Sequence, residues 1–87
     1  MGDEVLVVLK VYPEGIDEIG AVHSGIKEVR AGVFRDSKRE PLAFGLELIK
    51  AAFTIKDKQE GALEALLEEI KAVKGVKDVE VEATTLL

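Results

Sequence analysis

Residues 45–56 have the sequence GLELIKAAFTIK, which predicts a β-strand with apolar side chains on both faces. One face is formed by alternate residues, namely Ile49, Ala51, Phe53 and Ile55. The opposite face is less apolar and is formed by Leu48, Lys50, Ala52 and Thr54. A strand that is apolar on both faces is typical of the centre of a sheet. We therefore expect this segment to have a neighbouring strand on each side.

Residues 3–12 predict a second central strand, because Val and Leu again occupy both faces. The larger apolar face consists of Val5, Val7, Leu9 and Val11, and the smaller one of Leu6 and Val8. Segments 33–40 and 77–82 carry many charges, which discourage further pairing and therefore indicate the two edge strands. In segment 77–82 we expect Val79 and Val81 to point inward.

Two segments between the strands have helical periodicity. In residues 16–30 the apolar positions are Ile19, Val22, Ile26 and Val29. In residues 57–74 they are Leu63, Leu66, Leu67, Ile70 and Val73. Residues 57–60 have the spacing of a capping box, which predicts the start of the second helix. Gly75 suits the left-handed position that commonly follows a helix.

The element order β-α-β-β-α-β predicts an α+β fold, a ferredoxin-like split β-α-β sandwich, as a single domain over residues 1–87. Right-handed crossovers and two central strands give a four-stranded antiparallel sheet in the order 4-1-3-2, with two helices on one face. The uncovered face then carries Leu6, Val8, Leu48 and Ala52. Such a face is either a modest exposed apolar patch or an interface.

The composition argues against several kinds of site. The chain has no cysteine and a single histidine, so we expect no metal site and no cofactor. A net charge of −5 argues against direct nucleic-acid binding. The longest apolar run, residues 5–9, is too short to span a bilayer, and we expect a cytoplasmic protein with no membrane association. Abundant Lys and Glu with few thermolabile residues is a composition reported for hyperthermophile proteins.

No motif for catalysis stands out, and we expect no catalytic residue and no enzyme activity. We interpret His23 as a partly solvated residue beside the first apolar stripe, because no acid or nucleophile is patterned around it. Glu68 and Glu69 are adjacent in the second helix and do not face each other, so we interpret both as part of a solvated face.

The connection before the strand at residues 45–56 contains the segment PLAFGL at residues 41–46. Pro41 fixes φ, and Gly45 tolerates backbone angles that other residues avoid. Phe44 between them is either one of three Phe residues filling a small core or an aromatic held at the mouth of a strand as an anchor for a partner. The framing residues favour the anchor.

The chain resembles the archaeal form of translation elongation factor 1-beta over nearly its whole length. The similar segments are residues 1–3, 10–14 and 40–46, together with Gly75-Val76 and residues 79–81. The resemblance implies a guanine-nucleotide exchange factor that promotes GDP release from the GTPase elongation factor 1-alpha, which carries aminoacyl-tRNA. It also implies that Phe44 packs against the GTPase and that Pro41, Ala43 and Gly45 frame it. We expect the protein to be a monomer when free.

The same resemblance implies a role for the C-terminus, where eukaryotic members place a Lys just before the final residue, within reach of the magnesium site. Here the penultimate residue is Leu86, and the tail Ala83-Thr84-Thr85-Leu86-Leu87 has no Lys or Arg. Three substitutes stay open: Leu86 as a steric wedge, Thr85 as a hydrogen-bonding group, or Lys38 as a cation from elsewhere. Because chain ends are normally frayed, we expect residues 84–87 to matter little for folding.

An alternative function of a different class is a small-molecule-sensing or assembly module that uses the uncovered sheet face. Its signature would be a stable homodimer or a metabolite-dependent shift in melting. An exchange factor instead forms a complex with its GTPase that GDP weakens.

Overall fold

The computed structural model describes residues 3–56 and 61–87. Four strands and two helices follow one another in the predicted order: β1 Glu4–Pro13, α1 Ile19–Ile26, β2 Val33–Pro41, β3 Glu47–Lys56, α2 Ala62–Lys71 and β4 Val76–Leu86. The strands form one antiparallel sheet in the order β2-β3-β1-β4, which is the predicted order counted from the other edge. The prediction of an α+β, ferredoxin-like fold is confirmed.

The core lies between one face of the sheet and the two helices. In the central pair, Val7 lies opposite Phe53, and Leu9 lies opposite Ala51. Both pairs are almost completely buried, as are the helical residues Val22, Ile26, Leu66 and Ile70. Each fully buried Leu, Ile or Phe side chain contributes about 1.5–3 kcal/mol. The two central strands thus bury the apolar face that their alternation predicts.

The first helix is shorter than the predicted span of residues 16–30. A 3₁₀ turn at Ile16–Glu18 precedes α1, and the chain leaves the helix through i→i+3 hydrogen bonds, from the Glu28 N–H to the Gly25 carbonyl and from the Val29 N–H to the Ile26 carbonyl. These bonds keep the Val29 side chain buried in the core. The predicted apolar stripe therefore includes a residue that follows the α-helix. Gly25 lies against Val73, whose Cγ1 would be 2.5 Å from an added Cβ.

A carboxylate of α2 holds the segment that follows α1. The Glu69 carboxylate accepts hydrogen bonds from the backbone N–H groups of Arg30 and Ala31, the shortest at 2.8 Å. These donors follow the end of a helix, where the chain needs new hydrogen-bond partners. Glu68, its neighbour in sequence, is exposed as predicted. Glu69 is half-buried and has this specific role, which the interpretation of a solvated face did not include.

The second helix begins after Gly61, which has a φ of 79°. The predicted capping box at residues 57–60 lies outside the described residues. Leu66 and Ile70 are fully buried, whereas Leu63, Leu67 and Val73 pack at the margin of the core. Gly75 has a φ of 93°, which confirms the predicted left-handed position. None of the helices in the described part of the chain is both long and apolar enough to cross a membrane.

The last strand is longer than predicted. β4 extends to Leu86 and pairs with β1 through Thr84 opposite Val7, Thr85 opposite Leu6 and Leu86 opposite Val5. The Leu87 N–H also donates to the Glu4 carbonyl at 2.9 Å. The expectation of a frayed tail is wrong, because the β1 edge supplies partners for its backbone groups. Val79 is buried as predicted, whereas Val81 remains 40% exposed at the edge of the sheet.

Candidate functional site: two apolar ends of one sheet

Residues 41–46, named here the Phe44 turn, connect β2 to β3 through an unusual backbone. Phe44 has φ 63° and ψ 32°, and Gly45 has a φ of 76°. The Leu46 N–H donates to the Ala43 carbonyl at 3.3 Å, and the Leu42 N–H donates to the Leu46 carbonyl at 2.6 Å. Positive φ at both central residues is the pattern of a type I′ hairpin turn, where Asn-Gly is usual.

The Phe44 turn is costly to the fold in two ways. A non-glycine residue in the left-handed region costs about 1–2 kcal/mol. The ring is also 98% exposed, so it forgoes the roughly 1.5–3 kcal/mol that burying a Phe side chain supplies. The interpretation of Phe44 as a core residue is therefore wrong, and its role as an anchor stays a prediction. Strain of this kind concentrates at functional sites.

Other apolar side chains surround the base of the Phe44 turn. Ile16, Leu42 and Leu46 are 54%, 41% and 49% exposed. They line a hollow of about 160 Å³ together with Tyr12, Pro13, Glu14, Gly15, Glu47 and Lys77. Pro41, Ala43 and Gly45, the predicted frame of Phe44, are all exposed. An exposed apolar group of this kind marks an interaction surface.

The predicted tail residues lie on different faces of the sheet. Leu86 pairs with Val5, whose side chain packs against the core, and Thr85 pairs with Leu6 on the uncovered face. Leu86 and Leu87 are 63% and 54% exposed. Leu86 borders a cleft of about 370 Å³, named here the tail cleft, lined by Val5, Val7, Ile55, Lys56, Gly61, Ala62, Leu63, Glu64, Thr84 and Leu86.

The structure does not bring the two predicted parts of the site together. The Phe44 turn precedes Glu47, the first residue of β3, whereas Leu86 lies level with Ile55 near the other end of that strand. Eight residue steps of about 3.3 Å separate Glu47 from Ile55, or roughly 26 Å. The molecule is 42 Å long. One small pocket therefore cannot hold both Phe44 and Leu86.

The uncovered sheet face carries ion pairs at its centre. The Lys50 Nζ lies 2.9 Å from Glu40 Oε2 and 3.1 Å from Glu82 Oε2. The hydrogen bond from Lys50 lowers the pKa of Glu40, and the hydrogen bonds to Glu40 and Glu82 raise the pKa of Lys50. Of the apolar residues predicted for this face, Leu48 is only 3% exposed, and Leu6, Val8 and Ala52 are half-buried. This face presents charge at its centre and a small apolar margin, not a continuous apolar patch.

The single histidine packs between α1 and β2. The His23 ring shares a hydrogen bond with the Ser37 hydroxyl, Nε2 and Oγ being 2.5 Å apart. Burial lowers the pKa of His23, and the charges of Lys27 and Arg39 lower it further. The prediction of a partly solvated flanking residue is confirmed, since His23 is half-buried. In the described part of the chain, no group of three or more His, Cys, Asp or Glu side chains is placed to hold a metal ion.

Sequence reasoning missed several members of the surface around Phe44. Leu42 and Leu46 flank Phe44 in sequence, and both remain exposed because the tight turn points them away from the core. Ile16 was predicted to be the first residue of a helix, yet it lies in a 3₁₀ turn and is exposed. The sequence signal for this surface was the presence of large apolar residues on both sides of Gly45, which forms the turn.

Residues 6–87 match the family described as the EF-1 guanine nucleotide exchange domain. Elongation factor 1-beta of Ignicoccus hospitalis is 35% identical over 82 residues, which cover 91% of this chain and 87% of the relative. Elongation factor 1-beta of Archaeoglobus fulgidus is 36% identical over 86 residues, with 95% of this chain and 97% of the relative covered.

A solved structure shares the fold alone. The C-terminal domain of the MgtC protein from Mycobacterium tuberculosis superposes with a TM-score of 0.53 at 18% identity, over 92% of this chain and 85% of that domain. The sequence relatives say more about function, because the similarity covers nearly the whole chain, including both ends of the sheet. The chain belongs to the EF-1 guanine nucleotide exchange domain family, and its role is guanine-nucleotide exchange in translation elongation.

Proposed function

We propose that this protein promotes GDP release from elongation factor 1-alpha by binding it through both ends of the sheet. The observation that carries the proposal is Phe44, which is 98% exposed and lies in the left-handed region. An exposed aromatic ring is suited to fill a partner's pocket, and the two backbone hydrogen bonds of the turn fix the backbone that carries it. Pro41, Ala43 and Gly45 provide the rigid frame around it.

The second contact in this proposal is made by the end of β4. Leu86 and Leu87 are exposed there beside the tail cleft, and pairing with β1 fixes their position. A strand is a stiffer support than a free chain end, so Leu86 acts as a wedge that keeps its direction. Thr85 points to the other face and contributes a hydroxyl group at the rim of the contact.

The separation of the two ends gives the proposal its geometry. A rigid sheet with contacts at both ends fixes the distance between two surfaces of its partner, here roughly 26 Å. The Phe44 turn holds the GTPase at one surface while the β4 end acts on the nucleotide site. We infer that residues 1–87 work as one exchange domain, in the cytoplasm, as a monomer when free and without a cofactor.

The mechanism requires binding and no bond-making chemistry by this chain. A factor can weaken GDP binding only to the extent that it binds the nucleotide-free GTPase more tightly than the GDP form. The coupling is reciprocal, so GDP must weaken the complex with the factor by the same ratio. Contacts that form only when the nucleotide site is open therefore supply the whole effect.

The experiment measures both sides of this coupling. Elongation factor 1-alpha loaded with fluorescent GDP is mixed with excess unlabelled nucleotide and increasing amounts of this protein. We expect the GDP release rate to rise to a plateau, and the affinity of the complex to fall when GDP is added. An unchanged release rate at saturating protein would refute the proposal. A homodimer or a metabolite-dependent melting shift would then support a role for the uncovered sheet face instead.

A further inference from the structure

A histidine–serine pair and two basic side chains lie together at one edge of the sheet. His23 of α1 and Ser37 of β2 share a hydrogen bond, with Nε2 and Oγ 2.5 Å apart. Lys27 follows His23 by four residues and Arg39 follows Ser37 by two, so each lies on the same side of its element as the residue that it follows. These four residues are named here the His23 cluster.

The register of β2 places its part of the cluster on the face that the helices cover. Ser37 lies opposite Ala51 and Arg39 lies opposite Ile49, and both partners are buried in the core. Lys38, between them in sequence, therefore points to the uncovered face. Because β2 is an edge strand, a ligand can approach the cluster from solvent without displacing another strand.

The electrostatic surroundings of His23 are positive. Burial lowers the pKa of His23 most, and the charges of Lys27 and Arg39 lower it further. Among the described residues, no carboxylate acts on the ring in the opposite direction. Lys27 is exposed and forms no ion pair with any residue in 3–56 or 61–87. Two cations thus lie close to one half-buried hydrogen-bonded pair.

Two carboxylates lie near the cluster, and neither neutralises it. Arg39 Nη1 is 3.9 Å from Glu47 Oε1, with the two side chains 47% and 32% exposed, so this ion pair is weak. Asp36 Oδ1 accepts a hydrogen bond from the Ser37 N–H, but Asp36 pairs with Ala52 on the uncovered face. The covered side of β2 therefore keeps an excess of positive charge, in a chain whose net charge is −5.

We propose that the His23 cluster binds a phosphate group, carried by a small phosphate-containing molecule. The Arg39 guanidinium can donate two parallel hydrogen bonds to phosphate oxygens, and the Lys27 ammonium adds a point charge. The net negative charge of the chain favours a small ligand over an RNA strand, whose further phosphates it would repel. The cluster contains no residue of the Phe44 turn or of the β4 end, so this site is additional to the proposed function.

The histidine–serine pair links this site to pH. When Nε2 of His23 carries no proton, the Ser37 hydroxyl donates its hydrogen to the ring. When the ring is protonated, Nε2–H donates to Ser37 Oγ, and the hydroxyl hydrogen is free to turn towards a bound anion. A bound anion favours the charged ring and raises the pKa of His23. By reciprocity, protonation of His23 tightens anion binding.

The experiment uses inorganic phosphate as the probe and the isolated, isotope-labelled protein. Backbone amide signals and the His23 ring signals are followed by NMR as phosphate is added, with chloride at the same ionic strength as the reference. Sulfate replaces phosphate in a pH series, because its charge is constant where His23 titrates. Lys27→Gln and Arg39→Gln each remove one cation of the cluster. Lys38→Gln is the matched control, since it removes the neighbouring cation on the other face, and thermal melting checks that each variant is folded.

We expect phosphate to shift the amide signals of the His23 cluster and to raise the pKa of His23, whereas chloride does neither. Sulfate should bind more tightly below the pKa of His23 than above it. Arg39→Gln and Lys27→Gln should each weaken phosphate binding about tenfold. Lys38→Gln should bind phosphate like the wild type.

Two outcomes would overturn the assignment. Equal shifts with phosphate and chloride, or equal weakening by Arg39→Gln and Lys38→Gln, would reveal only general screening of surface charge. A short oligoribonucleotide at the same phosphate concentration provides the remaining arm. If it binds more tightly than the free ion and Arg39→Gln abolishes the difference, the choice of a small ligand is wrong. None of these measurements involves elongation factor 1-alpha, so their failure leaves the proposed function as it stands.

Discussion

Phe44 precedes the first residue of β3, and Leu86 lies level with Ile55 near the last residue of the same strand. Exposed apolar side chains gather around both positions, with Ile16, Leu42 and Leu46 at the Phe44 turn and Leu87 beside Leu86. Because a paired sheet between them is rigid, the two groups keep a fixed separation. Two contacts at a fixed spacing allow fewer orientations of a bound partner than either contact would allow by itself.

The strained backbone of Phe44 predicts that a substitution at this position can make the folded protein more stable. Replacing Phe44 by Asn removes a fully exposed ring and introduces a residue that tolerates the left-handed region. We expect Phe44→Asn to raise the free energy of unfolding by about 1 kcal/mol, because the strain at φ 63° is relieved. Chemical denaturation measures this change. A loss of stability would contradict the account of a strained and unburied ring.

A second Phe provides the matched comparison for that experiment. Phe53 is fully buried in the core, with its ring edge-on to Phe34 at a centroid distance of 5.6 Å. We expect Phe53→Ala to cost about 3–5 kcal/mol, the usual price of a large cavity. Phe44→Ala should change stability by less than about 0.5 kcal/mol. Equal losses for the two variants would place Phe44 in the core after all.

The end of β4 predicts that the tail contributes to folding. Deleting residues 84–87 removes the pairing of Thr84, Thr85 and Leu86 with β1 and the bond from Leu87. We expect a loss of about 2 kcal/mol or more, because each backbone hydrogen bond contributes about 0.5–1.5 kcal/mol. The test is equilibrium unfolding in denaturant. Truncation with no loss of stability would mean that this part of the strand is not formed.

A side-chain substitution separates the role of the tail in folding from its role in exchange. Thr is a good strand former, so Leu86→Thr keeps the pairing and removes the exposed apolar group. We expect this variant to retain stability within about 1 kcal/mol and to have a lower rate of GDP release. Exchange at the full rate would show that Leu86 has no part in it.

The contact between α2 and the end of α1 predicts that two neighbouring glutamates contribute very differently to stability. Glu69→Ala leaves the N–H groups of Arg30 and Ala31 without their acceptor, at a cost of about 1–3 kcal/mol. Glu68→Ala removes an exposed carboxylate and should change stability by less than about 0.5 kcal/mol. Hydrogen exchange provides an independent measurement, since the Ala31 amide should lose protection only in Glu69→Ala. Similar behaviour of the two variants would contradict the capping role.

His23 predicts a dependence of stability on mildly acidic pH. Its pKa is below 6.5 in the folded protein, so the unfolded chain binds a proton more readily as the pH falls. Stability therefore decreases from pH ~7.5 towards pH ~5.5, through the ordinary and then the lowered pKa of the ring. His23→Gln keeps a hydrogen-bonding partner for Ser37 and does not titrate, so its stability should be nearly constant over this window. The same decrease in both proteins would assign the effect to other groups.

The sheet was predictable because β1 and β3 are apolar on both faces, and such strands have few places in a sheet other than its centre. The ends of α1 could not be predicted from the sequence. Apolar residues three or four positions apart also occur in i→i+3 turns, such as the turn at Val29. Residues 84–86 form a strand because they pair with β1. Their own sequence has no pattern from which this pairing could be predicted. The exposure of Phe44 depends on its φ of 63°, and the nearby Pro41 and Gly45 allow this backbone angle but do not impose it.

The separation of the two ends was already implicit in the predicted topology. In an antiparallel sheet of order 4-1-3-2, the connection between the second and third strands and the end of the fourth lie at opposite ends. The charge at the centre of the uncovered sheet face was not implicit, because it depends on which carboxylates each lysine contacts. Pairings such as Lys50 with both Glu40 and Glu82 emerge only when all four strands are in register.

The most direct test of the central claim compares GDP release from elongation factor 1-alpha with wild-type protein and with Phe44→Ala over a range of factor concentrations. Loss of an anchoring aromatic weakens a complex by about 2 kcal/mol, or roughly 30-fold. We expect the variant to need roughly that much more protein for half-maximal release while melting like the wild type. Coincident curves for the two equally folded proteins would show that the exposed ring of Phe44 does not bind the GTPase.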